Sequence, residues 1–474
     1  MSLTIQQQAV VDAAVAGKSL MVSAVAGSGK SHTLLKAITA LPEEKSVLYL
    51  VYNKANQVEF VEKLSSTYVP CQYKVKTIHS LAYTTHARKV MLQRPQGAYK
   101  NVLGTAKEIE NAFRIQPFGA ITPRQIAAVV LGSVNAFECS YYNSPSVNNS
   151  LFAAMVAKST LPKSQLAKLK EIVLVMVKNL WKMRLNRTAV ATHNTYLKLY
   201  AMSKPTLEYD VVMLDEAQDA VGPVKSIIDA NPQVQWLLVG DPNQAIYQFN
   251  HCINLFQYYD FEAMPLSKSF RYGTNLAKAS DQWLGDNNIT SDSSGLDRDT
   301  TILPLSELDL SIEHTRVFRL NASMIHGLVM YAKVGIKASI GRSLTNSLIR
   351  QIEELAYFRD GDMKKVRNPA LLAFDSFESY AESKADDDDR DWVFEVVIDN
   401  NEKGMINLLE QMLEQEDEAT ATFVTVHRSK GLEYDTVVVD HDVFQPMKGN
   451  KPMPISRINL GYVAMTRAVN TIYM

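Results

Sequence analysis

Four groups of residues in this sequence have the types and spacing to act on a phosphate. Ala24-Val25-Ala26-Gly27-Ser28-Gly29-Lys30-Ser31 follows the apolar run from Ser19 to Val25 and precedes a helix-permissive run from Ser31 to Ala40. Strand, glycine turn and helix is the layout of a phosphate-binding loop. Gly27 and Gly29 open backbone conformations closed to residues with side chains. The loop amides then converge on phosphate oxygens beside the positive end of the next helix. Lys30 reaches the β- and γ-phosphates in such a loop, and the Ser31 hydroxyl ligates Mg²⁺. The generic pattern starts with Gly where this chain has Ala24. Downstream, Asp215 and Glu216 directly follow Val211-Val212-Met213-Leu214. An Asp there can hold Mg²⁺ and a Glu can polarise the attacking water. Gln244 can sense a γ-phosphate. Arg271 can neutralise charge in the transition state.

The elements around these residues predict how they are held. Val47 to Tyr52 is a β-rich apolar run, closed by Asn53, and reads as a buried parallel strand. Val75 to Ser80 reads as a shorter strand with a polar end, and Trp236 to Val239 as another strand with a polar tip. Strands alternating with helices predict an α/β layer with a parallel sheet. Ligands gather at the carboxyl ends of such strands, where Lys30, Asn53 and His79 fall. From about Ala82 to Lys204 helical periodicity takes over, which predicts an inserted helical subdomain. Within it Gln165 to Arg187 is amphipathic and carries Lys168, Lys170, Lys178, Lys182, Arg184 and Arg187. That face is either solvated or a flank for a phosphate backbone. The α/β pattern resumes at Tyr209. A second α/β unit starts near Met264, with strands at Thr315–Leu320, Phe423–His427 and Thr436–Asp440, helices at Asn275–Trp283 and Met324–Val334, and a loop from Gly285 to Thr301. A mostly helical, polar stretch interrupts it from about Leu344 to Ala419. The acidic run Asp386 to Asp391 there reads as a solvated loop. The last helix carries Ala464 to Ala468.

Gln6, Gln7 and Gln8 stand before Ala9-Val10-Val11 in a short N-terminal helix, Leu3 to Val15. A glutamine amide can pair with the donor and acceptor edge of adenine; taken alone, a glutamine run is more often a solvated helix face. Tyr247 and Phe249, two residues apart, are either core aromatics or stacking platforms for bases.

The chain has 474 residues, enough for two to four domains, and 46% hydrophobic residues place it among ordinary globular proteins. No run is long and apolar enough to span a bilayer, and no secretion signal is readable at the N-terminus. Cys71, Cys139 and Cys252 are few, scattered and odd in number. That predicts a reducing compartment and argues against a disulfide framework or a cysteine zinc site. With a net charge of −1, a nucleic-acid partner does not follow from bulk charge, so any basic surface is local.

The ordered motifs AVAGSGKS, TIHSLA, DEAQD, GDPNQAIY, SFRYG, VHRSKGLEYD and YVAMTRA resemble those of superfamily 1 DNA helicases of the UvrD/Rep type. The small second insertion, and His193 to Leu199 before the acidic strand, are most similar to the F-box DNA helicase branch, without a readable F-box. The resemblance implies an α/β fold of two RecA-like P-loop domains with parallel sheets, each interrupted by a mainly helical insertion. The implied boundaries are 1–82 and 206–263 for the ATP-binding domain and 83–205 for its insertion. They are 264–343 and 420–474 for the second domain and 344–419 for the small insertion. It implies ATP and Mg²⁺ as cofactors, with Ser31 and Asp215 as metal ligands. Lys30, Asp215, Glu216, Gln244, Arg271 and Arg467 are then the catalytic set. Gln6 (or Gln7), Gly27, Ser28, Gly29, Ser31, His32, Phe270, Gly431 and Glu433 contact the nucleotide. Tyr52, Asn53, Thr77, His79, Tyr247, Phe249 and His427 contact single-stranded DNA. The family tolerates Ala at the position of Ala24. Two departures stand out. His32 replaces a common Arg. The stretch with Arg457 and Ile458 replaces an acidic residue often found before YVAMTRA, which weakens the carry-over for sugar recognition.

The activity so implied is ATP-driven translocation on single-stranded DNA with 3′ to 5′ strand separation. The partners are single-stranded and tailed duplex DNA, with no membrane, a monomeric state, and a cytoplasmic or, in a eukaryote, nuclear location. Two rivals are a remodeller that strips proteins from single-stranded DNA and unwinds weakly, and a P-loop kinase or simple NTPase. The second arginine motif, far downstream, counts against the kinase.

Overall fold

The computed structural model describes residues 2–83, 103–157, 159–368, 371, 374, 376–384, 392–447, 449 and 451–474. The acidic run at 386–391 lies outside them. Two compact units emerge: one of Met1–Ser23, Lys30–Pro242 and Tyr247–Pro265, the other of Ala24–Gly29, Asn243–Ile246 and Leu266–Met474.

The first unit is built on β1 (Leu20–Ala24), β2 (Ser46–Val51), β3 (Gln72–Thr77), β4 (Val211–Leu214), β5 (Ala220–Val221), β6 (Gln235–Gly240), β7 (Cys252–Ile253) and β8 (Glu262–Leu266). Six of these form one sheet in the order β3-β2-β4-β6-β1-β8. The pairs β2 with β3, β2 with β4, β4 with β6 and β1 with β6 are all parallel. The central strands are almost wholly buried, which is why they read as unbroken apolar runs, whereas β3 at the edge is largely exposed. Parallel register puts the residues after β1, β2, β3, β4 and β6 along one rim, so segments far apart in sequence meet there. β5 and β7 form a small antiparallel pair beside it.

Between the third and fourth strands the described residues 106–157 and 159–202 are mainly helical. Their core holds Ile109, Val130, Phe137, Val173, Val177 and Trp181. The long helix Lys163–Leu185 buries Leu169, Val173, Val177 and Leu180, as its apolar periodicity predicts. Lys168, Lys170, Lys178 and Lys182 are exposed. Arg184 departs from that basic face. It is buried and bonds Glu138 at 2.8 Å, also buried, because it lies one turn past Leu180 on the core side.

The second unit carries β9 (Lys268–Gly273), β10 (Ser294–Leu296), β11 (Thr301–Leu303), β12 (His314–Phe318), β13 (Ala338–Ser339), β14 (Ala421–Thr425), β15 (Tyr434–Val439) and β16 (Ala468–Tyr473). Its main sheet runs β11-β16-β15-β12-β14-β13, parallel throughout. The loop expected from Gly285 to Thr301 contains β10, which pairs with β9. The helices Arg342–Arg359, Trp392–Ile398 and Glu402–Glu414 share one hydrophobic cluster with Phe318 and Phe423 of the sheet. The final helix is Ile455–Met465. Arg467 lies in the junction between it and β16 rather than on a helix.

Candidate nucleotide site and nucleic-acid interface

Ala24 is the last residue of β1 and fully buried, so the first position of the loop needs no glycine. Gly27 and Gly29 have φ of +74° and +76°, the left-handed region expected of them. Lys30 opens the helix Lys30–Ala40 with Ser31 next to it. Lys30 Nζ lies 3.6 Å from a Glu216 carboxylate oxygen. The strand-to-loop geometry of β1 and β4 thus brings the phosphate-loop lysine to the acidic pair within the first unit.

Asp215 is 8% exposed. Its carboxylate accepts from the Tyr49 hydroxyl at 3.0 Å and from the Glu216 N–H at 2.9 Å. Burial, then the Glu216 charge, pushes the Asp215 carboxyl up to about 6 despite Lys30 and these bonds. Glu216 adopts the left-handed conformation, φ +55°. For a residue other than glycine this costs roughly 1–3 kcal/mol and is held in place by its surroundings. A hard-oxygen pair, the Ser31 hydroxyl and the Asp215 carboxylate, suits Mg²⁺, which uses one or two protein oxygens beside phosphates and water. A cation there would also relieve the adjacent buried charges of Asp215 and Glu216.

Within the second unit, Ala24–Gly29 is tied to the segment carrying Arg271. The Phe270 N–H donates to the Gly27 carbonyl at 2.8 Å, and the Ser269 hydroxyl donates to the Ala26 carbonyl at 2.8 Å. A Cβ on Gly27 would meet Arg271 Cβ at 2.7 Å, so this glycine is needed for space as well as for its φ. Arg271 Nε donates to Glu433 at 2.8 Å and Nη1 to the Thr466 carbonyl at 3.0 Å. Arg467 is 1% exposed, with Nε on the Val463 carbonyl and Nη1 on the Leu432 carbonyl. Gly431 has φ +86°, and Phe270 is 39% exposed. Gln244 is buried, and its carbonyl accepts from Lys430 at 2.7 Å.

Gln7 is buried and its amide closes a capping box, accepting from the Thr4 N–H at 3.0 Å. Gln6 is half-buried. His32 has its pKa lowered by burial and by Lys36, so it is neutral at pH 7.

Of the expected DNA contacts, Tyr52 and Tyr247 stack at 6.1 Å with rings 9° apart, and Phe249 lies edge-on to Tyr247 at 6.2 Å. Tyr52, His79 and Phe249 line one cavity of about 580 Å³ in the first unit. Asn53 and Thr77 cap the helices Lys54–Ser65 and Ile78–Ala82. His79 therefore sits on a short helix rather than at a strand end, since Thr77 terminates β3 and starts the next turn. Its Nε2 is 3.3 Å from Asn194 Oδ1. His427, in the second unit, bonds the Ile246 carbonyl at 3.3 Å. Burial lowers the pKa of both histidines, so neither carries charge at pH 7.

Three features of the site went unread in the sequence. Tyr49 was read only as a strand residue, though a lone hydroxyl in an aliphatic run marks a buried polar partner. Gln218 was read only as a motif letter. The buried pair of Glu138 and Arg184 comes from segments too far apart for any local pattern.

The chain matches the family described as AAA domain over residues 6–250 and the UvrD-like helicase C-terminal domain over residues 420–474. It is 25% identical to F-box DNA helicase protein 1 of Schizosaccharomyces pombe, covering 98% of this chain and 56% of that protein. It is also 25% identical to F-box DNA helicase 1 of Gallus gallus, covering 100% of this chain and 49% of that protein. The chain thus spans about half the length of these relatives. A solved complex of arterivirus nonstructural protein 10 (helicase) with DNA is 11% identical, with a TM-score of 0.34 over 98% of this chain and 62% of that one, too loose a likeness to argue from. The two family matches, joined to a phosphate loop and an acidic strand end on parallel sheets, place this chain among the UvrD-like superfamily 1 helicases, related to the F-box DNA helicase branch.

Proposed function

We propose that the protein is an ATP-dependent DNA helicase that translocates 3′ to 5′ along single-stranded DNA as a monomer. The observation that carries this reading is the rim of the first sheet. Lys30, Asp215 and Glu216 converge there, and the stacked pair Tyr52 and Tyr247 follows strands of the same sheet. Nucleotide chemistry and a base-stacking surface are thus built on one rigid support.

In this reading 1–82 and 206–263 bind ATP, 264–343 and 420–474 form the second motor domain, and 83–205 and 344–419 are insertions. Lys30 and the loop amides hold the phosphates, and Gln6 reads adenine. Mg²⁺, when bound, neutralises charge on the phosphate oxygens. Glu216 orients water, Gln244 senses the γ-phosphate, and Arg271 and Arg467 favour the ATP state through charge-assisted contacts. Tyr52, Tyr247 and Phe249 stack on bases. Each stack is worth about 1–3 kcal/mol, small enough to be made and broken in every cycle.

The test is ATP hydrolysis with and without single-stranded DNA. The reading expects strong stimulation by DNA. Equal turnover with and without it would favour a simple NTPase. Displacement of a protein from a single strand without duplex unwinding would favour a remodeller.

A further inference from the structure

We infer that Gln218 is a positioning residue for hydrolysis: its amide is a strut that fixes the Glu216 carboxylate against the tip of β6. The inference rests on Glu216 acting as the residue that orients water.

Gln218 is 1% exposed and lies in the short turn after Glu216. Its Nε2 donates to the Glu216 carboxylate and, more weakly at 3.4 Å, to Asp219 Oδ2. Its Oε1 accepts from the Asp241 N–H at 3.1 Å. This sets the amide orientation, because only the nitrogen can donate to a carboxylate and only the oxygen can accept from a backbone N–H. A buried group with both ends engaged has one arrangement and holds its partners to it.

Two further facts bear on this strut. Gly240 ends β6, and a Cβ there would overlap Gln218 Oε1 in its bonded position. Glu216 is held in a left-handed conformation that glutamate rarely adopts. Lys30 meets the other carboxylate oxygen, Oε1, while Gln218 takes Oε2. The carboxylate is therefore gripped on both oxygens, by the phosphate-loop lysine and by an amide anchored to β6. Through the Asp241 N–H the strut ties the turn after β4 to the end of β6.

The test uses Gln218→Glu and Gln218→Met in the full chain. Gln218→Glu keeps the size and the acceptor for Asp241 but replaces the donor to Glu216 with a like charge. Gln218→Met keeps the size and loses both bonds. Turnover, KM for ATP and thermal melting are measured with and without single-stranded DNA. Both variants should lose about tenfold or more in kcat, in line with the worth of a positioned base, with KM within twofold; Gln218→Met should melt close to the parent, and Gln218→Glu lower, because it buries a second carboxylate beside Glu216. A kcat within twofold of the parent in Gln218→Glu overturns the inference. So does a fall in kcat accompanied by an equal loss of ATP affinity, or, in Gln218→Met, by a large drop in melting temperature, which marks a purely structural role. A parent protein with no ATP hydrolysis would instead refute the motor reading itself.

Discussion

Replacing Asp215 with Asn should stabilise the nucleotide-free protein while ending its catalysis. Asp215 is buried, and its carboxyl is pushed from an ordinary 3.8 up to about 6, first by burial and then by Glu216. A carboxyl with a raised folded-state pKa destabilises the fold wherever it is ionised. The cost is fully present above the folded value and is relieved as pH falls through 6 toward 3.8. About two pH units at about 1.4 kcal/mol each come to roughly 3 kcal/mol at pH 8. The Asn amide oxygen can accept from the Glu216 N–H while its NH2 donates to the Tyr49 hydroxyl oxygen, so it stands in for the neutral acid without a new cavity. At roughly 2–4 °C per kcal/mol, the variant should melt roughly 6–12 °C above the parent at pH 8 in EDTA. At pH 5 the linkage relation leaves about half of that gap. Thermal melting followed by circular dichroism at both pH values measures it. A variant less stable than the parent at pH 8, or a gap of the same size at pH 5, would refute the reasoning. Mg²⁺ with ATP should raise the melting temperature of the parent and not of the variant.

Lys30→Ala should abolish ATP hydrolysis, and Arg271→Ala should lower turnover more than ATP binding, read by steady-state kinetics beside fluorescent-nucleotide titration; full turnover in either contradicts the assigned roles. Tyr247→Ala removes one face of the Tyr52 stack and should weaken single-stranded DNA binding by about 1–3 kcal/mol, roughly 5- to 150-fold, in an anisotropy titration. Arg184→Met leaves Glu138 buried without its cation and should cost about 3–5 kcal/mol in a denaturant melt, whereas Glu138→Gln in the same chain should recover much of it.

Much of the fold was legible because parallel strands buried on both faces write themselves as apolar runs. Val47 to Val51 and Val211 to Leu214 are of this kind, each ending in a polar residue where the rim begins. The loop glycines were legible because a left-handed φ has one cheap solution. Ala24 stood out against the generic motif only because its place, inside β1 rather than in the turn, cannot be read from spacing. β10 was missed because three residues, Ser-Gly-Leu, amid Asp and Ser look like a loop; pairing with β9 makes them a strand. Arg184 was misread as part of a solvated face because periodicity says which side of a helix is apolar but not which charged residue finds a buried partner. Long-range pairings such as Tyr49 with Asp215 leave no local trace, so they emerged only once the register of β2 against β4 was known.

The most direct measurement of the central claim is strand displacement on 3′-tailed, 5′-tailed and blunt duplexes with ATP and Mg²⁺. The account predicts unwinding of the 3′-tailed substrate, little on the other two, and none with the Lys30→Ala variant. Unwinding that prefers a 5′ tail would contradict the proposed polarity, and unwinding that persists without Lys30 would contradict the motor.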